Sequence, residues 1–178
     1  MDTKAFTSQY KEAFGEAAPL PLVFYYSDSP AAETEKVPGC FPKYIRLAQE
    51  GTSVSLSMDN ITCGGGKFYA GFTEMPPHVP GFVSEKEKYK ESPELTLDYL
   101  SLFGPSMTGR KYLNFVRVDQ AETFDGMEGL LFIAPPDVIS GLCAWAFYDR
   151  NDHDTVSLIF GSGCSSIVAN AVRENRHN

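Results

Sequence analysis

No stretch of this chain approaches the ~18 consecutive apolar residues that a membrane-spanning helix requires. The first twenty residues, MDTKAFTSQYKEAFGEAAPL, also lack the apolar centre of a signal peptide. Lysine and arginine form no run, and the formal net charge is −8. An acidic chain repels phosphate backbones and anionic lipid surfaces, so nothing points to nucleic acid or membrane as a partner. The patterns C-x-x-C and H-E-x-x-H are missing, which removes the compact zinc sites. Neither G-x-G-x-x-G nor a Walker loop occurs, so classical nucleotide binding has no footing. Histidines are few: His177 lies in the tail, His153 in a charged turn and His78 in a proline-rich loop. Of the three, only His78 stays a candidate ligand or base.

What is present reads as an ordinary globular chain. With 178 residues, 43% of them hydrophobic, it can bury roughly 70% of the surface its unfolded chain exposes. Such a domain needs no disulfide or metal staple. The expectation is one domain over residues 1–178, of cytoplasmic location. Its four cysteines, Cys40, Cys63, Cys143 and Cys164, would then be reduced thiols with metal, redox or packing roles.

Periodicity places the elements. Phe6, Tyr10 and Phe14 recur every four residues and predict an N-terminal helix stopped near Gly15. Pro19–Tyr26 reads as a strand. Pro42 opens a short helix closed by Gly51, and residues 52–57 alternate as a half-buried strand. The charged run Ser84–Glu91 reads as a solvated helix face or loop. Ser92 and Pro93 start a helix whose Leu95, Tyr99 and Phe103 are expected to face inward. Lys111–Val118 alternates as a strand, and Gly129–Ala134 reads as a central, fully apolar one. Asp137 caps a helix through Tyr148. Asp154–Phe160 is expected as the last strand, before a helix that starts near Ser165. The resulting fold class is α/β: a single domain with a mixed sheet flanked by helices. Core sheet residues are expected at Leu22, Phe24, Val54, Leu56, Leu131, Ile133, Val156 and Leu158.

The two ends of the chain also share an order. Each has an apolar strand, a short helix with a cysteine, the tripeptide Val-Ser-Leu (Val54–Leu56; Val156–Leu158) and a glycine turn with a second cysteine. Cys40 and Cys63 have 22 residues between them, Cys143 and Cys164 have 20. If this is an internal repeat, a pseudo-two-fold axis would set both glycine turns at equivalent strand ends, where ligands of open α/β sheets bind.

The chemistry concentrates in those turns. Gly64, Gly65 and Gly66 after Cys63 leave the backbone free to curl into an anion-binding nest; the plain alternative is a tight turn that needs positive φ. In Gly161-Ser-Gly163-Cys164-Ser165-Ser166 the thiol sits where a helix begins. Ser165 or Ser166 would cap that helix, and its positive end would lower the Cys164 pKa. The alternative there is a small packed residue. Cys40 precedes a helix in the same way, whereas Cys143, between Leu142 and Trp145, reads as core. Lys67 and Arg110 read as ordinary surface charge.

Taken together, the run from Cys40 through Ala48-Gln-Glu-Gly51, Val54-Ser-Leu-Ser57 and Cys63-Gly-Gly-Gly66 to Gly71-Phe72 resembles the uncharacterised domain of unknown function 169 family. Ala134-Pro-Pro-Asp137, Gly141-Leu142 and the turn at Cys164 add to that resemblance, which covers about Leu20 to Val172. It implies a cytoplasmic, prokaryotic or archaeal single-domain protein, with Cys40, Cys63 and Cys164 inside the motifs and Cys143 incidental. It supplies no activity and no catalytic residues.

Three functions stay open. Cys40, Cys63 and Cys164 could ligate a soft metal such as zinc, or an iron–sulfur cluster. Cys164 or Cys63 could be the nucleophile of a thiol enzyme, although no partner base stands out. A small-molecule or anion sensor could use Gly64, Gly65, Gly66, Gly161, Gly163 and Ser165 without thiol chemistry.

Overall fold

Strand register decides where this chain keeps its core. The computed structural model describes residues 2–103, 107–156 and 161–177. Strands β1 (Leu22–Ser27), β2 (Val54–Ser57), β3 (Tyr112–Arg117) and β4 (Gly129–Leu131) form one sheet in the order β2-β3-β1-β4. Phe24 lies opposite Phe115, Val54 opposite Phe115, Leu56 opposite Leu113 and Leu22 opposite Leu131. Because side chains alternate across a strand, these residues share one face. Phe24 and Phe115 stack there with centroids 5.6 Å apart. The other face carries Val23, Tyr25, Val116 and the fully buried Asn114. Asn114 and Ser55 bond each other, and both accept from the Ala31 N–H, fixing the loop that follows β1.

Most helices follow their start signals, but the expected Asp137 cap is not made: that helix runs Pro136–Ala146 with Pro135 at its N-cap and Asp137 inside its first turn. Helix α1 (Thr3–Phe14) is capped by the Asp2 carboxylate, which accepts from Ala5 N at 2.7 Å, and ends at Gly15 with φ +89°. Helix α2 (Pro42–Gln49) has proline in its first turn and buries Ile45 and Ala48 against the sheet's apolar face. Helices α3 (Gly64–Tyr69), α4 (Val79–Gly81) and α5 (Pro93–Phe103) complete that layer, with the last turn and helix, Ser165–Ala169 and α7 (Asn170–His177). Helix α6 (Pro136–Ala146) lies apart from this core and buries only Val138 among its described residues. No helix among the described residues is long and apolar enough to cross a membrane.

An α/β arrangement of one sheet with packed helices therefore forms, with several local corrections. The four strands pair antiparallel throughout; parallel pairing is confined to an isolated Val37–Ile61 bridge. The apolar run at 129–134 is not central: only Gly129–Leu131 pairs, at the sheet edge, and Ile133 is 41% exposed. Hydrophobicity alone carries no neighbour information, and β1 and β3 hold the centre by length. Residues 154–156 are turn and bend rather than strand, with Val156 47% exposed; the remaining part of that expected strand, including Leu158, lies outside the described residues. The second half of the repeat is therefore unconfirmed. Helix α5 turns Thr96, Tyr99 and Leu100 inward, while Leu95 points out. Of the expected inward series Leu95, Tyr99 and Phe103, Tyr99 is buried as expected, Leu95 is not, and the Phe103 side chain lies outside those described.

Candidate functional site

The turn after β2 is built by Asn60. Its side-chain oxygen accepts from Ser57 N at 2.8 Å, and its amide donates to Ser55 O at 2.7 Å and Thr34 O at 3.2 Å. This clamp sets Ile61 beside Val37, where Val37 N donates to Asn60 O at 2.8 Å and Thr62 Oγ1 donates to Val37 O at 2.9 Å. The Gly39 N–H donates to Thr62 Oγ1 at 3.0 Å. Through these bonds the segment carrying Cys40 is held against the segment carrying Cys63.

Cys63 is the N-cap of α3, and its Sγ accepts from Gly66 N at 3.5 Å. Gly64, Gly65 and Gly66 are thus the first turn of a helix with ordinary helical φ, not a positive-φ nest. Gly66 is closely packed: a Cβ there would stand 3.2 Å from Phe41 and 3.3 Å from Ile61, so those side chains would have to shift slightly. At Gly65 a Cβ would meet only the Cys63 sulfur at 3.9 Å and Tyr69 at 4.0 Å, so the missing side chain leaves open space beside the thiol.

The second turn closes the same space from the other side. Gly163 and Cys164 begin the last helical segment, with Gly163 against Pro42 of α2. Ser162 fills the capping role expected of Ser165 or Ser166: its hydroxyl accepts from Ser165 N at 3.5 Å and its carbonyl from Ser166 N at 2.9 Å. Ser165 is fully buried and bonded to the Tyr99 hydroxyl at 2.8 Å. Gly161 lets that tyrosine approach, because a Cβ there would overlap its hydroxyl.

Between the two turns lies a cavity of about 310 Å³. Cys40, Cys63 and Cys164 all line it, with Gly64, Gly65, Gly66, Gly163 and His78. Gly161, Ser165 and Cys143 are not among its described wall residues. Cys143 is half-buried on α6 rather than sealed in the core. Lys67 and Arg110 also stay out of the walls, and Arg110 pairs with Asp28 at 2.7 Å. A larger cleft of about 610 Å³ on the opposite sheet face, along Val23, Tyr25 and Val116, has no thiol among its described walls.

The rest of the wall comes from the charged run read as solvated. A π-helical turn, Phe82–Lys86, is followed by Lys88 at φ +56°, the only non-glycine residue in the left-handed region among those described. Glu87 N donates to Phe82 O at 3.0 Å and Tyr89 N to Val83 O at 3.1 Å, which turns Phe82, Val83, Glu87 and Tyr89 toward the cavity. The only other π-helical turn described, Ser165–Ala169, begins directly after Cys164. Such turns, like left-handed non-glycine residues, concentrate at functional sites. Tyr89 among the lysines and glutamates, with Phe82 and Val83 just ahead of the run, is the signal that sequence reading passed over.

Electrostatically the thiolate form is disfavoured at Cys164. Burial, then the neighbouring Cys40, Cys63 and Glu87, push the Cys164 thiol up to about 12, against the lowering expected of a helix start. Desolvation outweighs the helix terminus because Cys164 is only 7% exposed. Burial likewise raises Glu87 above the usual carboxylate range. Tyr69 is raised by burial, then by Tyr99, Glu87 and Cys164. Metal ligation needs thiolates whose sulfurs converge on one point. Among the described residues no group of three His, Cys, Asp or Glu side chains is placed to hold an ion. The expected Cys40, Cys63, Cys164 ligand set for zinc or an iron–sulfur cluster thus gains no support, although the three thiols line one cavity.

Residues 18–178 match the DUF169 family, described as Uncharacterised ArCR, COG2043, and the chain belongs to that family. No curated protein and no solved structure matches it.

Proposed function

We propose that this DUF169 protein binds a small molecule in the cavity between its two cysteine-bearing glycine turns. One observation carries the reading: thiols from three separate segments, together with the π-helical turn Phe82–Lys86, border the same 310 Å³ space. That volume is at the lower end of ligand pockets, roughly 300–1,000 Å³, and suits a compact ligand. Pro42, Val79, Phe82 and Val83 give it mostly apolar walls, with a few polar groups to orient what enters. The protonated Cys164 thiol acts in such a wall as a small, polarisable apolar surface.

Gly65→Leu tests this, since the added side chain would grow into the space beside Cys63. A metabolite screen by thermal shift should give compounds that stabilise the native chain and lose that effect in the Gly65→Leu protein. If every stabilising compound shifts both proteins equally, the cavity is not the site.

A thiol-enzyme reading draws on Glu87, the carboxyl that sequence reading lacked as a partner base. Glu87 raises the Cys164 thiol instead of activating it, which favours binding over nucleophilic attack in the resting site.

A further inference from the structure

The walls of the cavity carry a charge bias that says what kind of molecule fits. Neither lysine nor arginine is among the described residues that line it, while Glu87 supplies a carboxylate. Lys86 and Lys88 flank Glu87 in sequence but are not walls, and no described ion pair joins Glu87 to either. Lys90, the next cation along the chain, sits over the Tyr99 ring at 4.5 Å. Three aromatic side chains, Tyr69, Phe82 and Tyr89, line the same space. Phe82 and Tyr89 are half-exposed at its mouth, on the turn that carries Glu87.

Each feature alone is common. Their combination discriminates between ligand classes. An anion would meet the Glu87 carboxylate and neither lysine nor arginine among the described walls, leaving the His78 ring as the one basic side chain there to offset its lost hydration. A neutral apolar ligand would cover part of Glu87 at the mouth without replacing the hydration lost there. An organic cation with an alkylated head offsets that carboxylate, and aromatic faces attract it through their quadrupoles. Its methyl groups would pack on the sulfurs of Cys63 and Cys164 and on Val79 and Val83.

We propose that the ligand of this cavity is a compact alkylated ammonium or a similar onium ion, with Glu87 as counter-ion and Phe82, Tyr89 and Tyr69 as the aromatic wall. The proposal rests on the cavity being the binding site.

Choline and its uncharged isostere 3,3-dimethylbutan-1-ol, titrated at constant ionic strength, are the probes. Choline should bind the native protein about tenfold more tightly than the isostere, the order expected of a cation–π contact joined to one partly screened ion pair. Glu87→Gln should bring that ratio close to one while circular dichroism and thermal midpoint stay unchanged, because Glu87 is at the exposed mouth. Tyr89→Ala should lower it part of the way. A ratio of one in the native protein, or a ratio unmoved by Glu87→Gln, overturns the onium assignment. So does a failure of both probes to bind. The screen with Gly65→Leu separates the two readings: other compounds that depend on Gly65 would keep the cavity as the site, and their absence as well would remove both.

Discussion

The two cysteine-bearing glycine turns look alike in sequence and are held by different physics. Around Cys63 the backbone is fixed by polar bonds: Asn60 ties three segments together, and the thiol itself caps α3. Around Cys164 the fixing is by burial: the helix start is sunk beside Tyr99, Ser165 is fully enclosed, and the thiol is stripped of water. One turn therefore presents a sulfur already engaged as an acceptor at a half-buried position. The other presents a sulfur that is desolvated and protonated. The same residue types at matched positions do not imply the same chemistry, and the cavity lies between the two.

The widest separation should be seen in thiol reactivity. The thiolate is the reacting species, and a thiol near 12 is about a thousandfold less ionised at pH 8 than an ordinary one. In the native protein Cys164 should thus be labelled by iodoacetamide about a thousandfold more slowly than a model thiol. Its rate should climb about tenfold per pH unit beyond pH 10, where an unperturbed thiol has already levelled off. Peptide mapping after timed labelling gives the rates. Cys164 labelling as fast as exposed Cys40 would erase the contrast between the turns.

Stability separates them next. Gly161→Ala drives a methyl group into the Tyr99 hydroxyl and Ser165, and should cost about 2–3 kcal/mol in urea unfolding. Asn60→Ala leaves the buried Ser57 N–H and the Ser55 carbonyl without their partner, and should cost about 2 kcal/mol. A Gly161→Ala loss below 0.5 kcal/mol would mean that the second turn is not held by close approach.

Much of this framework was legible in the residues. Helix starts at Asp2, Pro42 and Pro93 are local events with local signals, and α1, α2 and α5 begin there. Leu22, Phe24, Val54 and Leu56 are buried as expected, but β2 is buried on both faces rather than half-buried, with Ser55 and Ser57 enclosed as well. Legibility stopped where a residue's state depends on distant neighbours. The edge position of β4, the exposure of Ile133 and Val156, and the rise of the Cys164 thiol are each set by what packs nearby. Glu87 and Tyr89 were hidden for a different reason. A charged run normally marks a solvated face, and only the left-handed Lys88 turns one part of this run inward.

The smallest effect is the most informative about Cys63, which has two separable duties. As N-cap it satisfies the Gly66 N–H, and as wall residue it presents sulfur to the cavity. Serine is among the best N-caps, and alanine caps poorly. If capping is all that Cys63 does, Cys63→Ser should leave stability within about 0.5 kcal/mol of the native value, while Cys63→Ala should lose about 1 kcal/mol. Ligand-induced stabilisation should then survive in the serine protein. If the sulfur matters to the cavity, the serine protein should fold as well as the native chain yet lose affinity. A hydroxyl there brings a strongly hydrated dipole where a soft apolar surface stood. Equal stability with weakened binding in Cys63→Ser, set beside reduced stability in Cys63→Ala, would assign the two duties to different properties of one side chain. Unfolding curves and thermal shifts on the same two variants decide it. Native-like stability and binding in both variants would mean that the sulfur at this turn neither caps nor binds.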